Sequence, residues 1–127
     1  MEVDKRKKIL LVDDDEVQHQ IAENMLKEEY TIIKASSGKE ALDYLYNGNF
    51  VPNLILLDIM MPEMDGWEVF SRIKALSLLK NVPIVFLTAL SATTEEKRAY
   101  DMGAAGFIIK STDKETLMER IKKILGE

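Results

Sequence analysis

The sequence predicts an α/β protein: a five-stranded parallel sheet in the order 2-1-3-4-5, covered by helices on both faces. Three observations carry this. Ile9-Leu-Leu-Val12, Leu54-Ile-Leu-Leu57 and Ile84-Val-Phe-Leu87 are unbroken apolar runs, and a strand that is apolar at consecutive positions is buried on both faces, as strands of parallel sheets are. Between these runs lie segments with helix-start signals, so strands alternate with helices. Right-handed crossovers then set the topology, and of the doubly wound orders the one suited to five strands puts strands one and three side by side in the middle.

Taken in order, Lys8 to Val12 reads as the first strand, followed by Asp13-Asp14-Asp15 and an amphipathic helix from Glu16 to Glu28 with Val17, Ile21 and Met25 on its apolar face. Asp15 is the expected cap of that helix. His19, the single histidine, falls on what this periodicity makes the polar side, and is expected at the solvated surface. Tyr30 to Ala35 is the second strand, and Ser37-Gly-Lys-Glu40 is a capping box opening a helix to about Asn47. The central strand, Leu54 to Leu57, ends on Asp58. Asp65-Gly-Trp-Glu68 then opens a helix through about Leu76. Pro83 to Leu87 is a fourth strand ending on Thr88, and Thr94 to Met102 a helix stopped by Gly103. Phe107 to Ile109 is the fifth strand, ending on Lys110, and Thr112-Asp-Lys-Glu115 caps a last helix that closes near Gly126.

The 127 residues fit one domain, with a core from 8 to 125. No apolar run approaches the length of a bilayer crossing, and the basic start at Lys5 to Lys8 lacks a small-residue cleavage site, so a cytoplasmic protein is expected. The absence of cysteine excludes disulfides, thiolate metal sites and a cysteine nucleophile. A net charge of −5 argues against direct binding to nucleic acid.

Every strand but the second therefore ends in a residue with chemical capacity: Asp13 and Asp14, Asp58, Thr88 and Lys110. All lie on the rim where open α/β sheets bind ligands. Crowded carboxylates repel unless a cation sits among them, and oxygen-only ligands suit Mg²⁺. Lys110 supplies a compact charge and Thr88 a hydroxyl donor for phosphate oxygens. Asp58 is left as the nucleophile, and the set matches what phosphoryl transfer to a carboxylate requires.

The segments Ile9-Leu-Leu-Val-Asp13-Asp14, Leu57-Asp58-Ile-Met-Met-Pro62-Glu-Met-Asp65-Gly66, Leu87-Thr88-Ala89 and Gly103-Ala-Ala-Gly-Phe-Ile-Ile-Lys110 resemble, in order and spacing, the receiver (CheY-like) domains of bacterial two-component response regulators. The resemblance runs from Lys8 to Leu125 and implies the flavodoxin-like fold. It also implies a phosphorelay switch that takes a phosphoryl group rather than a turnover enzyme. Asp58 is the implied phosphoacceptor for a sensor histidine kinase, a phosphotransfer protein or a small acyl phosphate. Asp13, Asp14, Asp58 and the main-chain carbonyl of Met60 are the implied Mg²⁺ ligands. Thr88, Ala89 and Lys110 are the implied phosphate site, with Phe107 as the aromatic that reorients. Output is implied through the surface of the fourth helix, fifth strand and fifth helix, including Phe107, Ile108 and the segment from Ala99 to Met102, onto a downstream protein. The switch is implied to be a monomer or a weak phosphorylation-dependent dimer. Met60 and Leu90 occupy the two positions that tune phosphoryl lifetime in such domains, and neither offers a polar side chain to orient water. The chain departs from the family at Ser111, where a proline with a cis bond is usual.

Two other readings use the same residues. Asp13-x-Asp15 with Thr88 and Lys110 resembles the nucleophile motif of Mg²⁺-dependent phosphohydrolases. That class needs an acidic pair beyond the lysine, and only the isolated Asp113, Glu115, Glu119 and Glu127 follow. A receiver-like interaction module that is never phosphorylated is the third, disfavoured because no site residue is missing. Trp67, with Met60, Met61 and Met64, marks either local packing at a helix start or a partner groove.

Overall fold

The computed structural model describes residues 5–47, 50–89 and 93–127. Five strands and five α-helices alternate: β1 Lys8–Val12, α1 Glu16–Leu26, β2 Thr31–Ala35, α2 Gly38–Tyr46, β3 Leu54–Leu57, α3 Gly66–Lys74, β4 Ile84–Thr88, α4 Thr93–Met102, β5 Gly106–Ile109 and α5 Lys114–Ile124, with a 3-10 turn at Ser77–Leu79 before β4. The sheet is parallel in the order β2-β1-β3-β4-β5, as the sequence predicts.

The unbroken apolar strands divide their side chains between two cores, because successive residues of a strand point to opposite faces. Leu10, Val12, Ile55, Leu57, Ile84 and Phe86 pack under α2, α3 and α4. Ile9, Leu11, Leu54, Leu56, Val85 and Leu87 pack under α1 and α5. All twelve are buried, and truncating one such leucine or isoleucine to alanine costs about 2–5 kcal/mol.

Helix starts follow their caps. Asp15 Oδ1 accepts from the N–H groups of Val17 (2.9 Å) and Gln18 (3.2 Å), and Asp65 Oδ1 from Glu68 N–H (3.0 Å). Ser37 Oγ accepts from Glu40 N–H at 3.0 Å, while Glu40 returns its carboxylate to Ser36 N–H, one residue beyond the usual reciprocal partner. The last helix differs from expectation: its cap is Asp113, which accepts from Thr116 N–H at 3.0 Å, not Thr112. Thr112 instead donates its N–H to Ile109, closing the turn out of β5.

The apolar face of α1 is also not the one its periodicity suggests. His19, Ala22 and Leu26 are buried, whereas Val17 and Ile21 stay 65% and 42% exposed. The cap at Asp15 and the tight return to β2 fix the rotation of this short helix, and the seam they select runs through His19. That histidine is therefore inside the protein, not on the solvated side, and its Nε2 has no hydrogen-bond partner. Trp67 is buried against Phe86, with Met61 buried and Met64 half-buried nearby, so local packing rather than a methionine groove accounts for this cluster. Met60 alone of the three points out.

Candidate functional site

Strand register brings the predicted residues together. Val12 lies opposite Leu57, so the next residues, Asp13 and Asp58, leave the sheet side by side. Each is held by its backbone: Asp13 N–H donates to Ala35 O (3.1 Å) and Asp58 N–H to Val12 O (2.9 Å). Leu57 lies opposite Phe86, which sets Thr88 just past Asp58 on the next strand, fully buried. Thr88 in turn pairs with Ile109, and Thr88 O accepts from Lys110 N–H at 2.8 Å, so the fifth strand delivers Lys110 to the same rim.

Lys110 Nζ reaches across two strands. It is ion-paired with Asp13 Oδ2 and lies 3.2 Å from Asp58 Oδ2. The other oxygen of Asp58 accepts from Ile59 N–H at 2.9 Å, and Asp13 Oδ1 accepts from Asp15 N–H at 3.0 Å. Both carboxylates are thus oriented by main chain and by one shared ammonium, with Asp58 only 5% exposed. Carboxylate oxygens of Asp13, Asp14 and Asp58 lie within 4.8 Å of one another, and Asp14 is the exposed member.

The electrostatics are opposed. Burial pushes the Asp58 carboxyl above its ordinary value; the Lys110 charge pulls it down, Asp13 pushes it up, and the hydrogen bonds from Lys110 and Ile59 pull it down, leaving a net rise. Burial works against the charge on Lys110, but its hydrogen bond to Asp13 and the charges of Asp58 and Asp13 prevail and hold the ammonium above its ordinary value. Three acids and one base leave the cluster net negative. A hard divalent cation with oxygen preference fits this donor set, and a neutral or soft ligand does not.

The loop after Asp58 is held close. Gly66 N–H donates to Ile59 O at 2.8 Å, and a Cβ on Gly66 would stand 2.2 Å from Asp58 O. The Asp65-Gly66 pair, predicted as turn and cap, is therefore also the point where α3 touches the backbone of the acid. Glu63 in this loop adopts a positive φ of 68°. Neither feature is signalled by residue type beyond the glycine itself.

Of the other predicted residues, Ala89 stands exposed at the end of β4. Met60 is 66% exposed at the mouth of the site, and Leu90 lies outside the described residues. No described peptide bond is cis, the one from Lys110 to Ser111 included. Phe107 and Ile108, expected on the output face, are only 5% and 1% exposed, and both line a groove there. That groove, of about 430 Å³, is also lined by Glu96 and Tyr100 of α4 and by Arg120 and Lys123 of α5, and Tyr100 is 49% exposed. Asp113, Glu115 and Glu119 lie on α5 or its cap, and among the described residues no acidic group joins the three aspartates.

A family model described as the response regulator receiver domain matches residues 9–122. The transcriptional regulatory protein CrdR of Helicobacter pylori is 36% identical over 123 residues, which cover 96% of this chain and 56% of that protein. The chain spans about half the length of the first such relatives it matches. A crystal structure of a putative response regulator from Chloroflexus aurantiacus superposes with a TM-score of 0.88 at 30% identity, covering 97% of this chain and all of that one. The Vibrio cholerae chemotaxis protein CheY4 gives a TM-score of 0.84 at 28% identity, covering 94% of this chain and 98% of that one.

Proposed function

On the premise that the chain belongs to the response regulator receiver domain family, whose members act as phosphoacceptor switches, we propose that Asp58 is its phosphoacceptor. The observation that supports this most is the shared grip on one carboxylate: Asp58 stands beside Asp13 with one oxygen on Ile59 N–H and the other on Lys110. A carboxylate oxygen of Asp58 attacks phosphorus, the new P–O bond forms, and the bond to the leaving group breaks. With a phosphohistidine donor that is a P–N bond whose electron pair returns to imidazole; with acetyl phosphate it is a P–O bond and acetate leaves.

Mg²⁺ held by Asp13, Asp14, Asp58 and the main-chain carbonyl of Met60 would supply positive charge shared between nucleophile and phosphoryl group. The chain's own contribution is positional. Ile59 N–H and the register of β1 and β3 keep the carboxylate aimed out of the rim. Lys110, engaged with both acids before reaction, is placed to pair with a phosphoryl oxygen once Asp58 is esterified. The Thr88 hydroxyl and the backbone at Ala89 would take the remaining oxygens. Movement of Thr88 would be felt by Phe107, a residue of the neighbouring strand buried in the same core as Ala99 of α4, and so at the surface of α4, β5 and α5 where a downstream protein would dock.

A switch that is not a turnover enzyme is the reading that membership of this family favours. The test is phosphorylation by acetyl phosphate in Asp13→Ala and Asp14→Ala variants. Loss of Mg²⁺-dependent labelling with the fold intact supports the assignment; undiminished labelling in both would remove it. Steady release of phosphate from a generic phosphomonoester would favour the phosphohydrolase reading instead.

A further inference from the structure

α4 is poorly fastened by burial. Of its sequence Thr93-Thr-Glu-Glu-Lys-Arg-Ala-Tyr-Asp-Met102, Ala99 is fully buried and Met102 partly so, while Tyr100 is 49% exposed. The ion pair of Lys97 with Asp101 is internal to the helix and holds it to nothing. Arg98 does more: its guanidinium carbon lies 4.2 Å from the ring centroid of Trp67, at the start of α3. Among the described residues no carboxylate pairs with Arg98, and the indole face is what its guanidinium meets.

Trp67 is placed to pass that contact on. It follows Gly66, the residue packed against the main chain of Asp58. Its ring meets Phe86 at 4.9 Å, Phe86 stacks on Phe70 at 5.6 Å, and Phe86 is two residues before Thr88 on β4, in register with Phe107 of β5. A guanidinium on a tryptophan face is the favoured geometry of a cation–π pair, and the planar group stacks where an ammonium would not.

We infer that Arg98 is a positioning residue: by seating on Trp67 it clasps α4 to the start of α3 and ties the output helix to the loop that carries Asp58. Its use in signalling rests on the phosphoacceptor reading; the clasp itself does not. Without it, Ala99 is the one fully buried side chain that holds α4 among the described residues, so the helix opens more readily and its position ceases to report on the acid.

The experiment is amide exchange of the full chain as wild type, Arg98→Ala and Arg98→Lys, each also in a Trp67→Leu background. In Arg98→Ala, exchange across 94–102 rises about 2- to 5-fold, the range given by an exposed cation–π pair, while 114–124 is unchanged. Arg98→Lys falls between, and in the Trp67→Leu background the effect of Arg98→Ala largely disappears. The emission of Trp67, the single tryptophan, is then followed on adding Mg²⁺ and acetyl phosphate: its change shrinks in Arg98→Ala at equal phosphoryl incorporation. Unchanged exchange in α4, an equal rise in α5, or the same effect without Trp67 would overturn the clasp. Because exchange is read before any phosphoryl donor is added, failure of the phosphoacceptor reading would leave this result standing.

Discussion

Gly66 touches the main chain of Asp58 so closely that a single added carbon would lie 2.2 Å from the Asp58 carbonyl oxygen and 2.8 Å from Ile59 Cα. Both neighbours are backbone, so no rotamer change can make room. Gly66→Ala is expected to lower stability by about 1–3 kcal/mol or somewhat more, and to slow phosphorylation by acetyl phosphate because the loop that aims Asp58 must move. Urea unfolding and labelling rate together check this; a variant with wild-type values of both would show that the contact is slack.

Asp58→Asn should be more stable than the wild type at neutral pH. The folded carboxyl of Asp58 is raised above its ordinary value, chiefly by burial, so ionising it in the folded state is a cost. That cost is absent below the unfolded value, about 3.9, grows as pH rises from there to the folded value, and is complete above it. The urea midpoint of Asp58→Asn should therefore exceed that of the wild type at pH 7, with the difference closing as pH falls toward 4. Mg²⁺ should narrow the gap at pH 7 by stabilising the wild type alone.

Lys110 is the cation that Asp13 and Asp58 share. Lys110→Ala leaves those carboxylates facing each other without it, so a divalent cation should bind several-fold more tightly while the yield of phospho-Asp58 falls. Titration of Mg²⁺ against Trp67 emission, with labelling measured in parallel, separates the two effects. Weaker Mg²⁺ binding in the variant would show that Lys110 supports the cation site instead of competing for it.

Met60 projects into solvent at the mouth of the site, with no donor or acceptor strong enough to hold a water in line with the Asp58–phosphoryl bond. Met60→Asn supplies one and should shorten the lifetime of the phospho-form several-fold. Decay of the label after donor removal, in Mg²⁺ buffer, is the measurement; an unchanged or longer lifetime would remove Met60 from the control of resetting.

The legible parts of this protein were those written in residue type and spacing. Apolar strands ending in Asp13, Asp58, Thr88 and Lys110 gave both the sheet order and the convergence of the site, because strand register is regular enough to extrapolate. What sequence did not give depends on rotation and proximity. The burial of His19 turns on the rotation of an eleven-residue helix, whose apolar residues are too few to select one face. The shift of the last cap from Thr112 to Asp113 is a choice between adjacent residues that can both cap, of which Asp is the stronger. Arg98 over Trp67 joins positions far apart in the chain through two elements with no shared pattern, and the positive φ of Glu63 falls on a residue with no preference for it.

The central claim is that Asp58 accepts one phosphoryl group with the help of a cation held beside it. Intact mass after incubation with acetyl phosphate tests it most directly, for wild type and Asp58→Asn, with Mg²⁺ and with excess chelator. The account predicts a single phosphoryl addition to the wild type in Mg²⁺, lost with chelator and absent from Asp58→Asn. No addition to the wild type, or equal addition to both proteins, would contradict it.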